Sequence, residues 1–484
     1  MGLQDQIVRG LVLQGGGNVL GLATGLARAA VMARLASASE IGAYAIALVA
    51  VGMAVRVGGL GIASALYHYD GLSTRSYRQC LALATGASVL VGAGAGYIGD
   101  VALGTPMSWA FVVAVAASAG GQALAEVAGT HIGLRLAYGP LATAGVVART
   151  LGDGLAIAAL VVSPDLGGLL VGLGLQGVVL AVSFLLADYR VSRWRAGSDA
   201  GRLTDLRAIL RLGTLTVFDG FVNFAVARLD RLIVSEVYGL STLGYYELVA
   251  TLAERPLQLV LTSVRGVFAP LITRYVRRAS ALRAVHRGYM QGVGLVMVPA
   301  TVIALCFGES LLSALYGAAY GDYAGVYAAL TVLAWAKSTG LPIWQHIVAT
   351  GQIRLSVYAN LAIGSLRLIV LYGAATIFPL GVAVWIYVGT RALAAGLFEQ
   401  RMRHRHFRTP LTAAFGPLVP LLWRSLTASL GGLLVLVSLR YVLPESHTLG
   451  TCVALFTTGL LYVLLSYREL LRTYSALRLR SRFR

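Results

Sequence analysis

LGGLLVGLGLQGVVLAVSFLLA, residues 166–187, contains no ionisable side chain. A helix that crosses the hydrocarbon core of a bilayer needs roughly 20 mostly apolar residues, and this run supplies them without interruption. Asp165 stands before it, and Asp188, Arg190, Arg193 and Arg195 follow. An apolar run with a basic far end is the pattern of a membrane span whose basic end faces the cytoplasm.

The pattern repeats along the chain. Leu83 to Gly99, Trp109 to Ala125 and Gly431 to Leu439 are equally free of charge. Of 484 residues, 57% are hydrophobic and 12% charged, whereas an ordinary soluble domain has about 25% charged residues. Apolar runs between polar breaks place about fourteen spans. They cover 10–33, 41–66, 79–99, 107–129, 141–162, 167–188, 209–234, 241–265, 288–307, 323–349, 355–377, 380–398, 420–443 and 448–466. With a cytoplasmic N-terminus, every second loop is then basic. Those loops hold Arg75 and Arg78, Arg135, the group Arg190 to Arg207, the group Arg274 to Arg287, Arg354, and Arg401 to Arg408, and the tail beyond Arg468 is basic too. The opposite loops are short and carry Glu40, Asp100, Asp165, Glu236, Glu309, Asp322 and Glu445. A wrong helix count would scramble this alternation. The opening residues MGLQDQIVRG have no basic n-region and no small-residue cleavage site, so the first span is expected to persist as a helix.

These features exclude several classes of function. The net charge of +19 would suggest nucleic acid in a soluble chain, but here it follows from basic loops. Cys80, Cys306 and Cys452 lie far apart and form no CxxC or Cys/His set, which excludes a zinc site or disulfide framework. His404-Arg405-His406 lies among arginines that would repel a metal cation. No metal and no cofactor is expected. No hydrophilic segment exceeds about 25 residues, which leaves no soluble catalytic domain.

The chain also repeats itself. Ser39-Glu40-Ile41-Gly42-Ala43-Tyr44 is similar to Ser241-Thr242-Leu243-Gly244-Tyr245-Tyr246, each between the first two helices of a half. In this register Arg28 falls opposite Asp230 and Arg56 opposite Gln258. The expected organisation is an all-α polytopic membrane protein with two pseudo-symmetric six-helix lobes, 1–188 and 209–398. The basic linker 189–208 joins them, the basic loop 399–419 follows, and two further helices with a basic tail fill 420–484. Internal duplication of this kind is common in transporters, with the substrate between the halves.

Ionisable groups inside spans carry the functional reading, because each costs about 2.5–3.5 kcal/mol near a helix centre. Arg28, Arg56, Arg255, Arg149, Lys337 and Arg367 lie away from the expected borders on different helices. A shared wet cavity would tolerate these cations and attract an anion, and arginine's forked donors suit phosphate oxygens. They are the candidate substrate-binding residues. Asp153, Asp219, Asp230 and Glu254 are candidates for coupling an ion or for pairing with a nearby arginine, and Asp153 stands at i+4 from Arg149. Arg228, Asp230 and Arg231 are expected to pair among themselves, and Arg265 and Arg391 to snorkel. Tyr316, Tyr320, Tyr323 and Tyr327 are expected to form an interfacial belt. Pro256, Pro299 and Pro342 are expected to kink their helices, and Gly15 to Gly17 to loosen the first.

Two stretches carry a family resemblance. Met32-Ala33-Arg34-Leu35-Ala36-Ser37-Ala38-Ser39-Glu40-Ile41-Gly42-Ala43-Tyr44 is similar to the opening of polysaccharide-transport flippases. Arg228-Leu229-Asp230-Arg231-Leu232-Ile233-Val234, followed by Leu243-Gly244-Tyr245-Tyr246, resembles the same family's helices 7 and 8. These are the Wzx-type members of the multidrug/oligosaccharidyl-lipid/polysaccharide (MOP) exporter superfamily. The chain departs from them in its Gly- and Ala-rich helices and in lacking a proline after Ser39. The resemblance implies a flippase of the bacterial inner membrane, with both termini cytoplasmic. It would carry an undecaprenyl-diphosphate-linked oligosaccharide to the periplasmic leaflet by alternating access, with no enzymatic step. Related lipid II flippases have cavity arginines on helices 1, 2 and 8, a role that passes to Arg28, Arg56 and Arg255. Membrane lipids and polysaccharide-assembly proteins are the implied partners. A cation-coupled multidrug exporter of the same superfamily is the first alternative, and a membrane-embedded glycan-assembly enzyme or a scaffold the second.

Overall fold

The computed structural model describes residues 20–66, 74–103, 109–135, 137–194, 206–263, 272, 275, 279–407, 416–442, 450–451 and 453–466. Among these residues every regular element is helical. Nine helices are long and apolar enough to cross a membrane, and Val453–Ser466 is a shorter apolar one. The chain is an all-α polytopic membrane protein. Gly15 to Gly17, Arg265 and Cys452 lie outside the described residues.

Contacts divide the chain into two compact units, 1–247 and 248–484. The first contains α1 (20–35), α2 (Ala38–Gly58), the short α3 (Ile62–Leu66), α4 (Thr74–Ala102), α5 (Trp109–Leu134), α6 (Tyr138–Val162), α7 (Leu166–Trp194), α8 (Leu206–Tyr238) and the first turns of α9 (Leu240–Ser263).

Two features of this unit follow directly from its residues. Helix α2 opens on a capping box. The Ser37 hydroxyl accepts from the Glu40 backbone N–H, and the Glu40 carboxylate accepts from the Ser37 N–H at 2.8 Å. Two otherwise orphaned donors are satisfied, worth roughly 0.5–2 kcal/mol. The expected single span 41–66 is instead broken after Gly58. Leu60 and Gly61 adopt left-handed backbone (φ 52° and 63°), and α3 then starts at Ile62. The break brings the Leu60 carbonyl against Gly213 of α8, where a Cβ would sit 2.3 Å from that oxygen. Elsewhere α5 and α7 touch backbone to backbone: a Cβ on Gly121 would lie 2.1 Å from the Gly177 carbonyl. Small residues permit this approach where lipid offers no hydrophobic drive for helix association.

The second unit contains the rest of α9, α10 (Ala279–Tyr316), α11 (Ala324–Ala349), α12 (Ile353–Ala375), α13 (Leu380–Met402), α14 (Val419–Val442) and α15 (Val453–Ser466). Helix α10, 38 residues long, is its spine and packs along α11 and α14. The Tyr289 hydroxyl donates to the Ser338 carbonyl at 2.6 Å, and Met290, Val293 and Met297 meet Leu418 and Leu421. Phe307, Leu436 and Ala454 pack together higher up.

Pro256, Pro299 and Pro342 all lie inside continuous helices, so none of them ends its helix as an interruption would. Helix α13 runs to Met402, past the expected start of the basic loop at 399. That extension places Glu399 inside the packed unit.

Candidate functional site

In the first unit the intramembrane charges gather on α1, α2, α5 and α6. Asp153 of α6 is buried and takes three donors. Thr24 Oγ1 and Gln176 Nε2 each donate at 2.8 Å, and an Arg28 Nη1 atom lies at 3.4 Å. The α1–α6 seam is thus held by a carboxylate shared between one cation and two neutral donors. Arg149, four residues before Asp153 on α6, is exposed and lies along α1, its Cδ 3.0 Å from where a Cβ on Gly21 would be. Asp153, expected to pair with Arg149 one turn earlier, is paired across helices with Arg28. Arg149 is mid-way along a 25-residue helix. Lipid would penalise an exposed guanidinium at that depth.

Arg56, in the last turn of α2, lies 3.8 Å from Glu126 of α5, with both side chains about half exposed. This is a loose ion pair at a helix C-terminus, where a cation also complements the helix dipole. Its Cδ stands 3.8 Å from where a Cβ on Gly220 of α8 would be, so the residue is flanked by three helices.

Asp230 and Arg231 behave as the sequence predicts, and the cluster is larger than expected. Arg231, 2% exposed, donates to Asp230 at 3.0 Å and through Nε to Glu247 at 2.7 Å. The Tyr246 hydroxyl closes on Asp230 at 2.6 Å. Asp230 is committed to this buried network. The side chain of Asp219 lies outside the described residues, and Glu254 is half-buried on α9.

In the second unit Arg255, one residue before Pro256, reaches Gln258 at 3.5 Å and lies within electrostatic range of Tyr316. Lys337 is half-buried on α11. Arg367 is buried in the α12–α13 seam, donating to the Tyr387 hydroxyl with its guanidinium 4.6 Å from that ring's centroid. Arg391 does not snorkel. It is buried and donates to Glu399 at 3.0 Å, with the Trp344 indole 3.4 Å from the same carboxylate oxygen.

The tyrosines are not an interfacial belt either. Tyr316, Tyr320 and Tyr327 are buried, with the first two rings 5.3 Å apart. The segment Ala318–Tyr323 is a tight helical turn that folds back onto α10, which turns the rings inward. Tyr316 Oη has no hydrogen-bond partner among the described residues.

Chemically, the first unit holds two separate ion pairs, Arg28 with Asp153 on α1 and α6 and Arg56 with Glu126 on α2 and α5, and Arg149 lies along α1. A guanidinium can receive an anion through forked N–H donors. Thr24, Gln176 and Glu399 were not legible as parts of charged clusters. No group of acidic, His or Cys side chains that could hold a metal occurs among the described residues.

A family profile described as "Polysaccharide biosynthesis protein" matches residues 31–325, more than half of the chain. The chain belongs to this family of polysaccharide biosynthesis proteins. No curated protein matches it. Among solved structures, this family member is similar to the lipid II flippase MurJ in an inward closed conformation. The two share 14% identity with a TM-score of 0.60, covering 96% of this chain and 100% of that one. An inward-facing multidrug resistance MATE family transporter of the MOP superfamily gives 14% identity and a TM-score of 0.54, covering 80% of this chain and 98% of that one. The Vibrio cholerae MATE transporter VcmN in its bent form gives 14% and 0.52, covering 84% and 98%. At such identities the likeness is one of fold.

Proposed function

We propose that this polysaccharide biosynthesis protein is a flippase of the bacterial inner membrane, with both termini cytoplasmic. It carries a polyprenyl-diphosphate-linked oligosaccharide from the cytoplasmic to the periplasmic leaflet by alternating access. The observation that carries this reading is Arg149, exposed at mid-helix beside the Arg28–Asp153 pair. A guanidinium there is tolerated next to water and an anion far better than next to lipid. Arg28, Arg56 and Arg149 of the first unit are proposed to bind the diphosphate while the polyprenyl tail stays in lipid, and Arg255 and Lys337 are further candidate phosphate-binding cations. Arg367 belongs with this set by charge, but its burial on Tyr387 favours a packing role. The lobes 1–188 and 209–398 are the moving parts. An inside-negative potential favours outward movement of an anion by about 2.3 kcal/mol per charge per 100 mV, which gives the cycle a direction.

The test is translocation of a labelled polyprenyl diphosphate by proteoliposomes. Arg28→Ala, Arg56→Ala and Arg255→Ala should each slow it at least about tenfold, the loss of one charge-assisted contact. Wild-type rates in all three would remove these residues from the mechanism. Efflux of an organic cation with no movement of the lipid would favour the multidrug exporter instead.

A further inference from the structure

Outside these charge clusters, the first unit encloses a second titratable group. Tyr77 in the first turn of α4, His131 near the end of α5 and Asp188 near the end of α7 meet at one end of the unit, all three buried. His131 Nδ1 lies 2.6 Å from Asp188 Oδ1, and the Tyr77 hydroxyl donates to Oδ2 at 2.9 Å. The tyrosine and imidazole rings stack, 4.1 Å between centroids and 23° between planes. Three helices are thus joined through one carboxylate, both of whose oxygens are engaged.

Charge counting shows what this arrangement can do. The 2.6 Å contact requires one proton between Nδ1 and Oδ1. With only that proton, the His–Asp pair carries one net negative charge in an apolar setting. A second proton, taken from water onto Nε2, leaves an imidazolium–carboxylate pair with no net charge. Low-dielectric surroundings discriminate strongly between a net charge and a neutral pair. The surroundings are indeed apolar: Ala65, Leu66, Ala84 and Val127 pack around Tyr77, and Ile132 and Ala187 flank the other two. Arg207 and Arg211 of α8, whose Ile209 packs in the cluster with Tyr77, are exposed. Of the other charged or titratable groups, Tyr77 itself and Cys80 come from α4, and Arg135 at the end of α5 acts on Tyr77. Glu126, further along α5, is taken by Arg56 of α2, and α3 presents none. Arg149 of α6 is on the α1 side, and Arg75, Arg78 and Arg190 are exposed at the rim.

We propose that the His131–Asp188 pair, braced by Tyr77, is a proton-binding site that loads and unloads through His131 Nε2 as its end of the unit opens to water. Coupling of that proton to lipid movement rests on the flippase reading, whereas proton binding by itself does not. Two measurements separate them. The first is ¹⁵N NMR of the histidine ring in full-length protein in nanodiscs. The His131 signal, identified by its loss in His131→Gln and followed from pH 5 to pH 8, should report proton uptake at Nε2. Asp188→Asn should displace that titration, and Tyr77→Phe should leave it in place. An imidazole that keeps one state across this range, or one indifferent to Asp188→Asn, overturns the proposal. The second is translocation at symmetric pH 6, 7 and 8. Wild-type rates should vary about tenfold over this range, with less than about twofold variation in His131→Gln that still moves lipid. Equal pH profiles in the two proteins would overturn coupling. No translocation by wild type at any pH would sink the flippase reading alone, and the NMR titration would still decide proton binding.

Discussion

Gly42 on α2 and Gly244 on α9 occupy equivalent places in a contact that reads the same from either side. A Cβ on Gly42 would fall 2.0 Å from the carbonyl oxygen of Leu240, four residues before Gly244. A Cβ on Gly244 would fall 1.8 Å from the carbonyl oxygen of Ala38, four residues before Gly42. Each glycine also faces the other's backbone nitrogen, at 3.3 and 3.1 Å. The two copies of the short internal repeat are therefore packed on one another about a local pseudo-two-fold axis. Helix starts that touch through backbone leave no room for any side chain, and the obstructing atoms are carbonyls that cannot swing away.

Gly42→Ala and Gly244→Ala should each destabilise the protein by about 1–3 kcal/mol, the range for overpacking a tight contact. Gly154→Ala on α6 provides the control, because a Cβ there meets nothing within 4 Å. It should be neutral or slightly stabilising through helix propensity. Thermal unfolding in detergent reads all three, and equal melting temperatures for the first two and the control would refute a backbone-tight seam.

On the proposed function, Asp153, 3.4 Å from Arg28, competes with the ligand for that guanidinium. Removing its charge while keeping its shape, with Asp153→Asn, should strengthen binding of a polyprenyl diphosphate, since one competing anion is gone. Arg28→Ala should weaken it roughly tenfold, about the 1.5–3 kcal/mol of a hydrogen bond to a charged group. Equilibrium binding to protein in nanodiscs tests both. Opposite signs for the two variants are expected, and weakening in both would mean that Asp153 contacts the ligand only through the fold.

The fold was largely legible because a bilayer imposes both a length and a charge rule. The spans expected at 141–162 and 380–398 appear as Tyr138–Val162 and Leu380–Met402, and 209–234 is helical within Leu206–Tyr238 but is not among the nine helices apolar enough to cross a membrane. What escaped were places where polarity did not mean exposure. Hydropathy assigns Glu399 to a loop because it cannot tell a solvated carboxylate from a buried, paired one. The spacing of Arg391 and Glu399, two helical turns apart on one face, was the available signal. The tyrosines from Tyr316 to Tyr327 were read as a belt because they flank a short polar link, yet that link is a helical turn packed onto α10. The break at Gly58 was hidden by the 58 glycines of the chain, most of which interrupt nothing. His131 and Asp188 are far apart in sequence, and only the packing of α5 against α7 joins them.

The Arg391–Glu399 pair should behave as a buried ion pair whose halves depend on one another. Arg391→Met leaves a carboxylate facing Trp344 in the core, and Glu399→Leu leaves a guanidinium without its counter-charge. Each should cost about 3–5 kcal/mol, whereas the Arg391→Met/Glu399→Leu double variant should recover most of the loss. Gly340→Ala should resemble the single variants, because a Cβ there would sit 2.2 Å from the Glu399 carboxylate. Unfolding of wild type, the two single variants and the double variant forms a test of coupling. Additive losses would show that the two groups do not depend on one another.

Asp165 offers a pH-dependent test outside the spans. It caps α7: its Oδ1 accepts from the Gly168 backbone N–H and from the Ser163 hydroxyl, each at 2.9 Å. These donors, the backbone N–H first, hold its carboxyl below the usual carboxylate range. A folded pKa lower than the unfolded one means stability that is fully present above the unfolded value and lost as pH falls through the folded one. Asp165→Ala should therefore melt at a lower temperature than wild type at pH 7, and the gap should close as the pH drops below the ordinary aspartate range near 4. Asp165→Asn, which keeps an acceptor but cannot titrate, should lose less at pH 7 and show no comparable closing. A gap between wild type and Asp165→Ala that stays constant with pH would assign the cap's effect to backbone shape instead of to the charge.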